Sequence, residues 1–185
     1  MDQNVFKELL DDEINNFESK LDLDLGELLK TLRLTISVAE SMTGGMLSQR
    51  LTTLPGSSDY YLGGIISYHN KVKVGLLGVQ PETIRTKSVV SEEVALEMVR
   101  GLKKLIKSDV CISVTGIAGP ANQEFFGNII GRVYIGFIVK NIERVKTFHF
   151  TGTRDSIRRQ ATSAALNYLR QYLINEKGGQ YNGRK

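Results

Sequence analysis

Residues 35–53 read TISVAESMTGGMLSQRLTT, and this stretch decides the class of fold. β-branched and apolar residues dominate its first five positions, which is typical of a buried strand. The strand runs directly into a turn that contains Gly44 and Gly45, and residues 46–53 then predict a helix. A strand that feeds a helix through a short turn is the repeating unit of an α/β protein.

The rest of the chain continues this alternation of strands and helices. Ser91, followed by Glu92 and Glu93, begins a helix with an acidic first turn, which suits the helix dipole. We predict further strands at 64–68 and 110–115, helices at 70–77, 91–107 and 153–173, and an antiparallel hairpin at 132–140 and 144–150. The expected fold is therefore α/β, a three-layer αβα sandwich with a mixed, partly parallel sheet that carries one antiparallel hairpin.

The N-terminal segment predicts an amphipathic helix with a break near residues 22–24. Its large apolar residues recur at spacings of three and four, and they are Phe6, Leu9, Leu10, Ile14, Phe17, Leu21, Leu25, Leu28, Leu29 and Leu32. We expect one domain over residues 1–175, in which this extra helix covers about residues 3–30. Residues 176–185 are polar and contain glycine, so we expect a disordered tail there.

Composition excludes several classes of function for this chain. It has 185 residues and a net charge of only +4, with no basic run interleaved with aromatic residues, so we expect no nucleic-acid partner. No apolar run approaches the roughly 20 residues of a membrane span. The acidic N-terminus lacks the features of a signal peptide, so we expect a cytoplasmic protein. Cys111 lies in an apolar run and is interpreted as a core residue, and with only His69 and His149 besides it we expect neither a metal site nor a cofactor.

Three predicted strand ends carry the candidate chemistry, because ligands of open α/β sheets bind beyond the carboxyl ends of the strands. After the first strand, Ser41 lies on a strand-to-helix turn beside backbone amides that suit an oxyanion or a phosphate. The alternative is that Ser41 or Thr43 only caps the helix. After the third strand, Gly116 and Gly119 allow close approach of a phosphate, although the loop is neither a Walker A nor a Rossmann motif.

The second strand end adds a possible base. Lys71 and Lys73 are two residues apart and cannot share a helix face, and either could simply be a surface lysine. A serine hydroxyl needs a base to become a nucleophile, and a buried lysine can serve if its pKa falls far enough to leave it neutral. Ser41 and Lys73 therefore suggest a serine–lysine pair, with Tyr68 as a group that could relay or orient a proton.

Taken together and in order, these segments resemble the CinA C-terminal domain family. The matching stretches are AESMTGG (39–45), LPGSS (54–58), YHNKVK (68–73) with LGV (77–79), VSEEV (90–94), TGIAGP (115–120), and Thr151 and Gly152 with Arg154 and Arg158. They extend from about residue 35 to residue 173. The resemblance implies nicotinamide mononucleotide deamidase activity, which converts this nucleotide to nicotinate mononucleotide and ammonia, without a metal.

The resemblance also implies roles for individual residues. Ser41 would be the nucleophile, Lys73 its base, and Tyr68 an assisting group. The substrate would be bound by residues of the three strand ends and of the last helix, namely Thr43, Gly44, Gly45, Asn70, Thr115, Gly116, Gly119, Arg154 and Arg158. Thr43, Gly44 and Gly45 would supply the oxyanion site, and Arg154 or Arg158 would bind the phosphate. The family also implies a homodimer or a higher homo-oligomer, for which the first helix could supply the interface.

The sequence departs from the family pattern in two places. Met42 stands where the family often has cysteine, and in the loop 121–132 the family's proline and threonine are replaced by Ile129 and Arg132. The altered loop favours a second hypothesis, a catalytically inactive nucleotide-binding module in competence or the DNA-damage response. A third hypothesis is a hydrolase that acts on another amide of a phosphorylated compound. The family's N-terminal domain has no counterpart in this sequence, so we expect no activity of that domain.

Overall fold

The computed structural model describes residues 3–120 and 129–182, with side chains described in 12–120 and 129–176. The helices in chain order are α1 (Gln3–Leu32), α2 (Met46–Leu51), α3 (Asn70–Leu77), α4 (Pro81–Lys87), α5 (Glu92–Ile106) and α6 (Arg154–Asn182). The strands are β1 (Ile36–Glu40), β2 (Tyr61–Ile66), β3 (Val110–Gly116), β4 (Arg132–Val139) and β5 (Ile142–His149). Among the described helices, none is both long enough and apolar enough to cross a bilayer.

The five strands form one mixed sheet in the order β2-β1-β3-β4-β5. The first three are parallel, and the β4–β5 hairpin joins β3 in antiparallel orientation. The carboxyl ends of β1, β2 and β3 therefore lie at the same edge of the sheet, which brings together the three segments that the sequence analysis singled out.

Helices cover both faces of the sheet. On one face α1, α2 and α6 pack through a core that includes Leu25, Leu29 and Leu166, and on the other face α3 and α5 pack through Leu77, Met98 and neighbouring residues. The αβα sandwich with a mixed sheet and one hairpin is thus confirmed. Cys111 is completely buried in the second core, as its apolar surroundings in the sequence predict.

Helix α1 is continuous, so the predicted break near residues 22–24 is wrong. Leu21, Leu25 and Leu29 are all buried and follow one another at a spacing of four along a single face. The acidic residues that suggested a break are paired instead: Arg50 donates to Asp22, and Arg170 donates to Asp24. A paired carboxylate on the side of a helix does not interrupt it.

Three other elements differ from the prediction. Strand β2 begins at Tyr61, three residues before the predicted start at residue 64, and ends at Ile66, two residues before the predicted end. A Cβ on Gly64 would lie 2.7 Å from Val38 Cγ2, so this glycine allows β2 to pack closely against β1. Helix α4 was not predicted. Helix α6 continues beyond residue 173 to Asn182 and so includes most of the segment for which a disordered tail was predicted.

The contact between α3 and α5 is close enough to require a glycine. A Cβ on Gly101 of α5 would lie 1.8 Å from the carbonyl oxygen of Leu77 at the end of α3. This contact fixes the helix that carries Lys73 against the helix that covers the sheet.

Gly101→Ala should therefore lower the free energy of unfolding by about 1–3 kcal/mol, because backbone atoms must move to admit the methyl group. Gly75→Ala, on the exposed side of α3 with no atom within 4 Å of the added Cβ, is the matched control. It should raise stability by up to about 1 kcal/mol through helix propensity. Urea unfolding monitored by circular dichroism measures both, and equal effects would contradict the close-contact explanation.

Candidate active site

A buried contact between a lysine and a serine lies at the carboxyl edge of the parallel strands. Lys73 Nζ donates to Ser41 Oγ at 2.9 Å and to the carbonyl oxygen of Ser67 at 2.5 Å. Lys73 is only 1% exposed, whereas Lys71 faces solvent on the other side of α3. The structure thus brings together the two residues that the sequence analysis paired, although they are 32 positions apart.

Burial lowers the pKa of Lys73 from its ordinary value of 10.5 to about 8. A lysine with such a pKa is neutral in about a tenth of the molecules at pH 7 and in about half of them at pH 8. Its Nζ is then able to accept the proton of a hydroxyl group at hydrogen-bond distance. Ser41 Oγ occupies that position, so the geometry and the pKa of Lys73 together allow activation of the serine.

Neither Ser41 nor Thr43 caps helix α2. The N-cap position is held by Gly45, with no side-chain hydrogen bond from that residue, and Thr43 Oγ1 has no partner among the described residues. The capping function is performed from the end of β1 by Glu40. The capping interpretation of the two hydroxyls, left open by the sequence, is therefore wrong.

The carboxylate of Glu40 binds the start of α2, a role that the sequence analysis missed. It accepts hydrogen bonds from the amides of Gly45, Leu47 and Ser48 at 2.9–3.1 Å, and from Ser48 Oγ at 2.7 Å. Glu40 is completely buried, so these bonds hold a desolvated charge. They fix the turn that carries Ser41. A glutamate at the end of a strand, followed by a glycine-containing turn and a helix, is the signal that could have indicated this cap.

The amides of the glycine turn are consequently not free. The Gly45 amide donates to Glu40, and the Gly44 amide donates to the carbonyl oxygen of Ser41 at 3.1 Å. The role of oxyanion donor that the resemblance implies for Gly44 and Gly45 gains no support from this arrangement. It also leaves no room for a phosphate at the start of α2, because a carboxylate already occupies those donors.

A cleft of about 240 Å³ opens beside Ser41 and Lys73. Its polar side includes Tyr68 and Asn70 from the segment after β2, and Arg154 from the first turn of α6. Its other lining residues come mainly from the loops before α5 and after β3, and they are Met42, Val89, Val90, Thr115, Gly116, Ile117, Ala118, Gly119 and Pro120. The cleft therefore combines one reactive polar end with an apolar wall.

The two candidate arginines of α6 have different positions. Arg154 lines the cleft, where its Nη1 donates to the carbonyl oxygen of Gly119 at 2.7 Å and its Nη2 to the hydroxyl of Tyr68 at 2.8 Å. Arg158 instead donates to the carbonyl oxygens of Met42 and Thr43. Of the two, Arg154 is the one placed to meet a ligand in the cleft.

Tyr68 does not contact the serine–lysine pair through its hydroxyl. The hydroxyl accepts from Arg154, and only the backbone carbonyl of Tyr68 lies near Lys73 Nζ, at 3.5 Å. Tyr68 as a whole is 59% exposed. The predicted proton relay has no direct contact to support it among the described residues, and Tyr68 is placed to orient Arg154 instead.

Thr115 and Gly116, at the end of β3, have structural roles. Thr115 Oγ1 donates to the carbonyl oxygen of Val89 at 3.0 Å and so fixes the apolar wall of the cleft. A Cβ on Gly116 would lie 2.8 Å from the carbonyl oxygen of Arg132 on β4, so this glycine is required by strand packing. Gly119, with a φ of 66°, presents its carbonyl to Arg154.

His69 has a structural role that the sequence analysis did not assign. It is the N-cap of α3, and its Nδ1 accepts from the amide of Lys71 at 3.1 Å. The family commonly has serine here, and serine is another capping residue. Within the described part of the chain, no three histidine, cysteine, aspartate or glutamate side chains lie close enough together to hold a metal ion. Residues 121–128 of the altered loop lie outside the described residues.

The fold and the site together define an α/β protein with a buried serine–lysine pair in a cleft at the carboxyl ends of parallel strands. The family model of the CinA C-terminal domain matches residues 18–173. A CinA-like protein of Sulfurihydrogenibium sp. is 43% identical over 159 residues, which are 85% of this chain and 40% of that protein. A CinA-like protein of Thermotoga neapolitana is 39% identical over 156 residues, which are 84% of this chain and 38% of that protein.

A solved structure, the competence damage-inducible protein A of Klebsiella pneumoniae, is similar with a TM-score of 0.81 and 28% identity. The similarity covers 85% of this chain and 97% of that chain. The chain belongs to the CinA family and contains its C-terminal domain. It spans about two fifths of the length of the two CinA-like relatives.

The buried lysine should make stability depend on pH in a defined window. Between pH 8 and 10.5 the unfolded chain keeps the proton of Lys73 while the folded protein has lost it. The free energy of unfolding should therefore rise with pH through this window, by roughly 3 kcal/mol from this residue. Urea unfolding at about pH 7 and about pH 10.5 should show this rise in the parent protein and not in Lys73→Met.

Lys71→Met, which changes an exposed lysine of the same helix, is the control and should respond to pH as the parent does. If Lys73→Met and the parent gain the same stability over this range, then folding does not remove the Lys73 ammonium from water.

Proposed function

We propose that this protein is an amidohydrolase that converts nicotinamide mononucleotide to nicotinate mononucleotide and ammonia, in pyridine nucleotide salvage. The observation that carries the proposal is the 2.9 Å hydrogen bond between the buried Lys73 Nζ and Ser41 Oγ. The choice of substrate rests on the family resemblance, and the features of the cleft are compatible with it.

In the proposed reaction, neutral Lys73 takes the proton of Ser41 while Oγ attacks the carboxamide carbon. The carbonyl electron pair moves to oxygen and forms a tetrahedral oxyanion. When that pair returns, the C–N bond breaks, and the proton held by Lys73 passes to the leaving nitrogen, so ammonia departs. Lys73 then takes a proton from water, which attacks the acyl–serine ester. The second tetrahedral intermediate collapses with cleavage of the bond between the acyl carbon and Ser41 Oγ, and the proton held by Lys73 passes to Oγ. Nicotinate mononucleotide then leaves, and neutral Lys73 and the Ser41 hydroxyl are restored.

The cleft supports a substrate that has a flat ring and an anionic group. A carboxamide carbon at Ser41 would place the ring against the apolar wall of Val89, Val90 and Ile117. Arg154 lies at the same cleft and can pair with a phosphate in a bidentate manner. Asn70, exposed at the start of α3, adds an amide donor and acceptor for the ribose.

The inactive binding module is a weaker explanation of the buried lysine. Desolvating the Lys73 ammonium costs stability. A domain that only binds a nucleotide gains nothing from a lysine with a lowered pKa, whereas an enzyme can use that lysine as a base. A hydrolase for another amide of a phosphorylated compound would use the same residues. Release of ammonia would distinguish the proposed enzyme from the inactive binding module. The identity of the substrate that releases it would distinguish the proposed enzyme from a hydrolase for another amide.

A homodimer or a higher homo-oligomer, located in the cytoplasm, stays a prediction for this chain. Ile14 and Phe17 on α1 are 45% and 55% exposed, and a second copy could cover them. This proposal is independent of the reaction.

Purified protein should release ammonia from nicotinamide mononucleotide, and Ser41→Ala should reduce the rate by a factor of at least about 10³, because no other group replaces the nucleophile. Coupled assay of ammonia measures both. Ser48→Ala, at a serine that binds Glu40, controls for the loss of a hydroxyl near the turn and should keep measurable activity. Turnover by Ser41→Ala at the parent rate would contradict the nucleophile assignment.

The rate should increase with pH to a plateau, with a midpoint near 8, because only the neutral form of Lys73 can act as the base. Lys73→Arg should be inactive over the same range, since the guanidinium stays protonated. Steady-state rates between about pH 6 and 10 test this. A profile that falls as the pH rises through 8 would require the protonated form of Lys73 and would contradict the assignment of the base.

A further inference from the structure

The carbonyl oxygen of Ser67 is the nearest of three acceptors that surround the buried lysine. Lys73 Nζ donates to it at 2.5 Å, to Ser41 Oγ at 2.9 Å, and to a third acceptor, the carbonyl oxygen of Tyr68, at 3.5 Å. An ammonium group has three N–H donors, so these acceptors match its donors one to one. Ser67 is completely buried and is not among the residues that line the cleft.

The three acceptors differ in what they can do when Lys73 loses a proton. A carbonyl oxygen can only accept a hydrogen bond, whereas a hydroxyl can accept or donate. A neutral amine keeps two N–H donors, and the two carbonyls can be satisfied only by these. The lone pair is therefore left facing Ser41 Oγ, where the hydroxyl can donate to it. Of the two carbonyls, that of Ser67 has the shorter hydrogen bond and so contributes more to this orientation.

The Ser67 carbonyl is itself fixed to the peptide group that carries the nucleophile. The amide and the Oγ of Ser67 both donate to the carbonyl oxygen of Glu40, at 2.7 Å and 3.1 Å. That oxygen belongs to the peptide group between Glu40 and Ser41, whose N–H donates to the carbonyl oxygen of Val114 on β3 at 3.1 Å. One peptide group thus joins the ends of three strands and sets the position of Ser41 relative to the carbonyl that directs the lysine.

Charged side chains are engaged elsewhere and do not direct Lys73 in the described part of the chain. Burial is the one cause of the lowered pKa of Lys73, with no contribution from a neighbouring charge. The carboxylate of Glu40 binds the start of α2, and Arg154 binds the hydroxyl of Tyr68. The direction of the lysine donors is therefore set by uncharged acceptors, of which the Ser67 carbonyl is the nearest.

We infer that Ser67 is the positioning residue of the base: its carbonyl directs the lone pair of Lys73 towards Ser41, and its hydroxyl ties that carbonyl to the peptide group of the nucleophile. The inference rests on the proposed serine mechanism but not on the identity of the substrate. A base whose lone pair already faces the hydroxyl needs no rotation before it takes the proton, which is the geometry that general base catalysis requires. Ser67 acts through Lys73 and does not itself meet a ligand.

The test follows the reaction of Ser41 with a fluorophosphonate, a serine-directed probe that is unrelated to nucleotides. Ser41 Oγ forms a bond to phosphorus, fluoride leaves with the P–F electron pair, and Lys73 takes the serine proton. Mass spectrometry of the intact protein gives the labelling rate between about pH 6 and 10, with Ser41→Ala as the unlabelled reference.

Replacement of Tyr68 by its α-hydroxy acid changes the peptide group between residues 67 and 68 to an ester and keeps every side chain. The ester carbonyl is a weaker acceptor, and the Tyr68 N–H that is lost donates to no residue in 3–120 or 129–182. A hydrogen bond to the ammonium favours the protonated form, so the pH midpoint of labelling should fall by about half a unit or more. The plateau rate should fall about tenfold, because the lone pair is no longer fixed. Protein with tyrosine inserted at position 68 by the same route is the reference.

Ser67→Ala keeps the carbonyl and the amide but loses the hydrogen bond from Oγ to Glu40. It should lower the plateau rate by about threefold or more and shift the pH midpoint in the same direction as the ester. Ser113→Ala is the matched control, because Ser113 is also completely buried and its Oγ donates to a backbone carbonyl, that of Ala95, at 2.6 Å. It should label within about twofold of the parent rate and keep the parent midpoint, although both substitutions remove a buried hydrogen bond. This pair tests the inference by itself if the ester protein does not fold.

The inference is overturned if the ester protein labels with the plateau and the midpoint of its reference. It is also overturned if Ser67→Ala and Ser113→Ala lose the same fraction of the labelling rate, or if the parent is not labelled at Ser41. If the parent is labelled and the ester has the expected effect, but no ammonia is released from nicotinamide mononucleotide, the proposed substrate is wrong and the role of Ser67 is supported.

Discussion

Removal of the Lys73 ammonium from water is the constraint on which the site depends. The group is buried beside a hydroxyl and a backbone carbonyl, and neither of these carries the negative charge that would stabilise the protonated form. Because hydration of the ammonium group favours exposure of Lys73, other contacts must hold α3 in place. These are the close contact between Gly101 and Leu77, and the cap that His69 supplies to the first turn of α3. Burial of Lys73 therefore lowers the stability of the folded protein and, at the same time, allows the amine to lose its proton.

The turn from Ser41 to Gly45 is held by opposite charges on its two ends. Glu40 accepts hydrogen bonds from amides at the start of α2, and Arg158 donates to carbonyls earlier in the turn. Both charged groups act on backbone atoms, and the positive φ values of Gly44 and Gly45, 62° and 103°, complete the path of the turn.

The sequence predicted what depends on local pattern and on strand order. Alternating strands and helices predicted the sandwich, and the rule that sites lie beyond strand ends brought Ser41 and Lys73 into one hypothesis. It could not predict which backbone donors are free, because that depends on where Glu40 and Arg158 reach in three dimensions. The predicted start of β2 at residue 64 was three residues late, because the packing of Gly64 against Val38 of the neighbouring strand depends on the pairing of β1 with β2. The acidic residues that suggested a break in α1 have arginine partners more than 25 residues away along the chain.

The hydrogen bonds of Arg154 have a consequence for how a ligand enters. Its guanidinium joins the segment after β2, through the Tyr68 hydroxyl, to the segment after β3, through the Gly119 carbonyl. These two bonds use only two of the five N–H donors of the guanidinium, so Arg154 keeps three further donors at the cleft. An anion that pairs with those donors would leave both bonds in place. The cation at the cleft is therefore also a link between its two sides, and a ligand that binds it would tighten that link instead of breaking it.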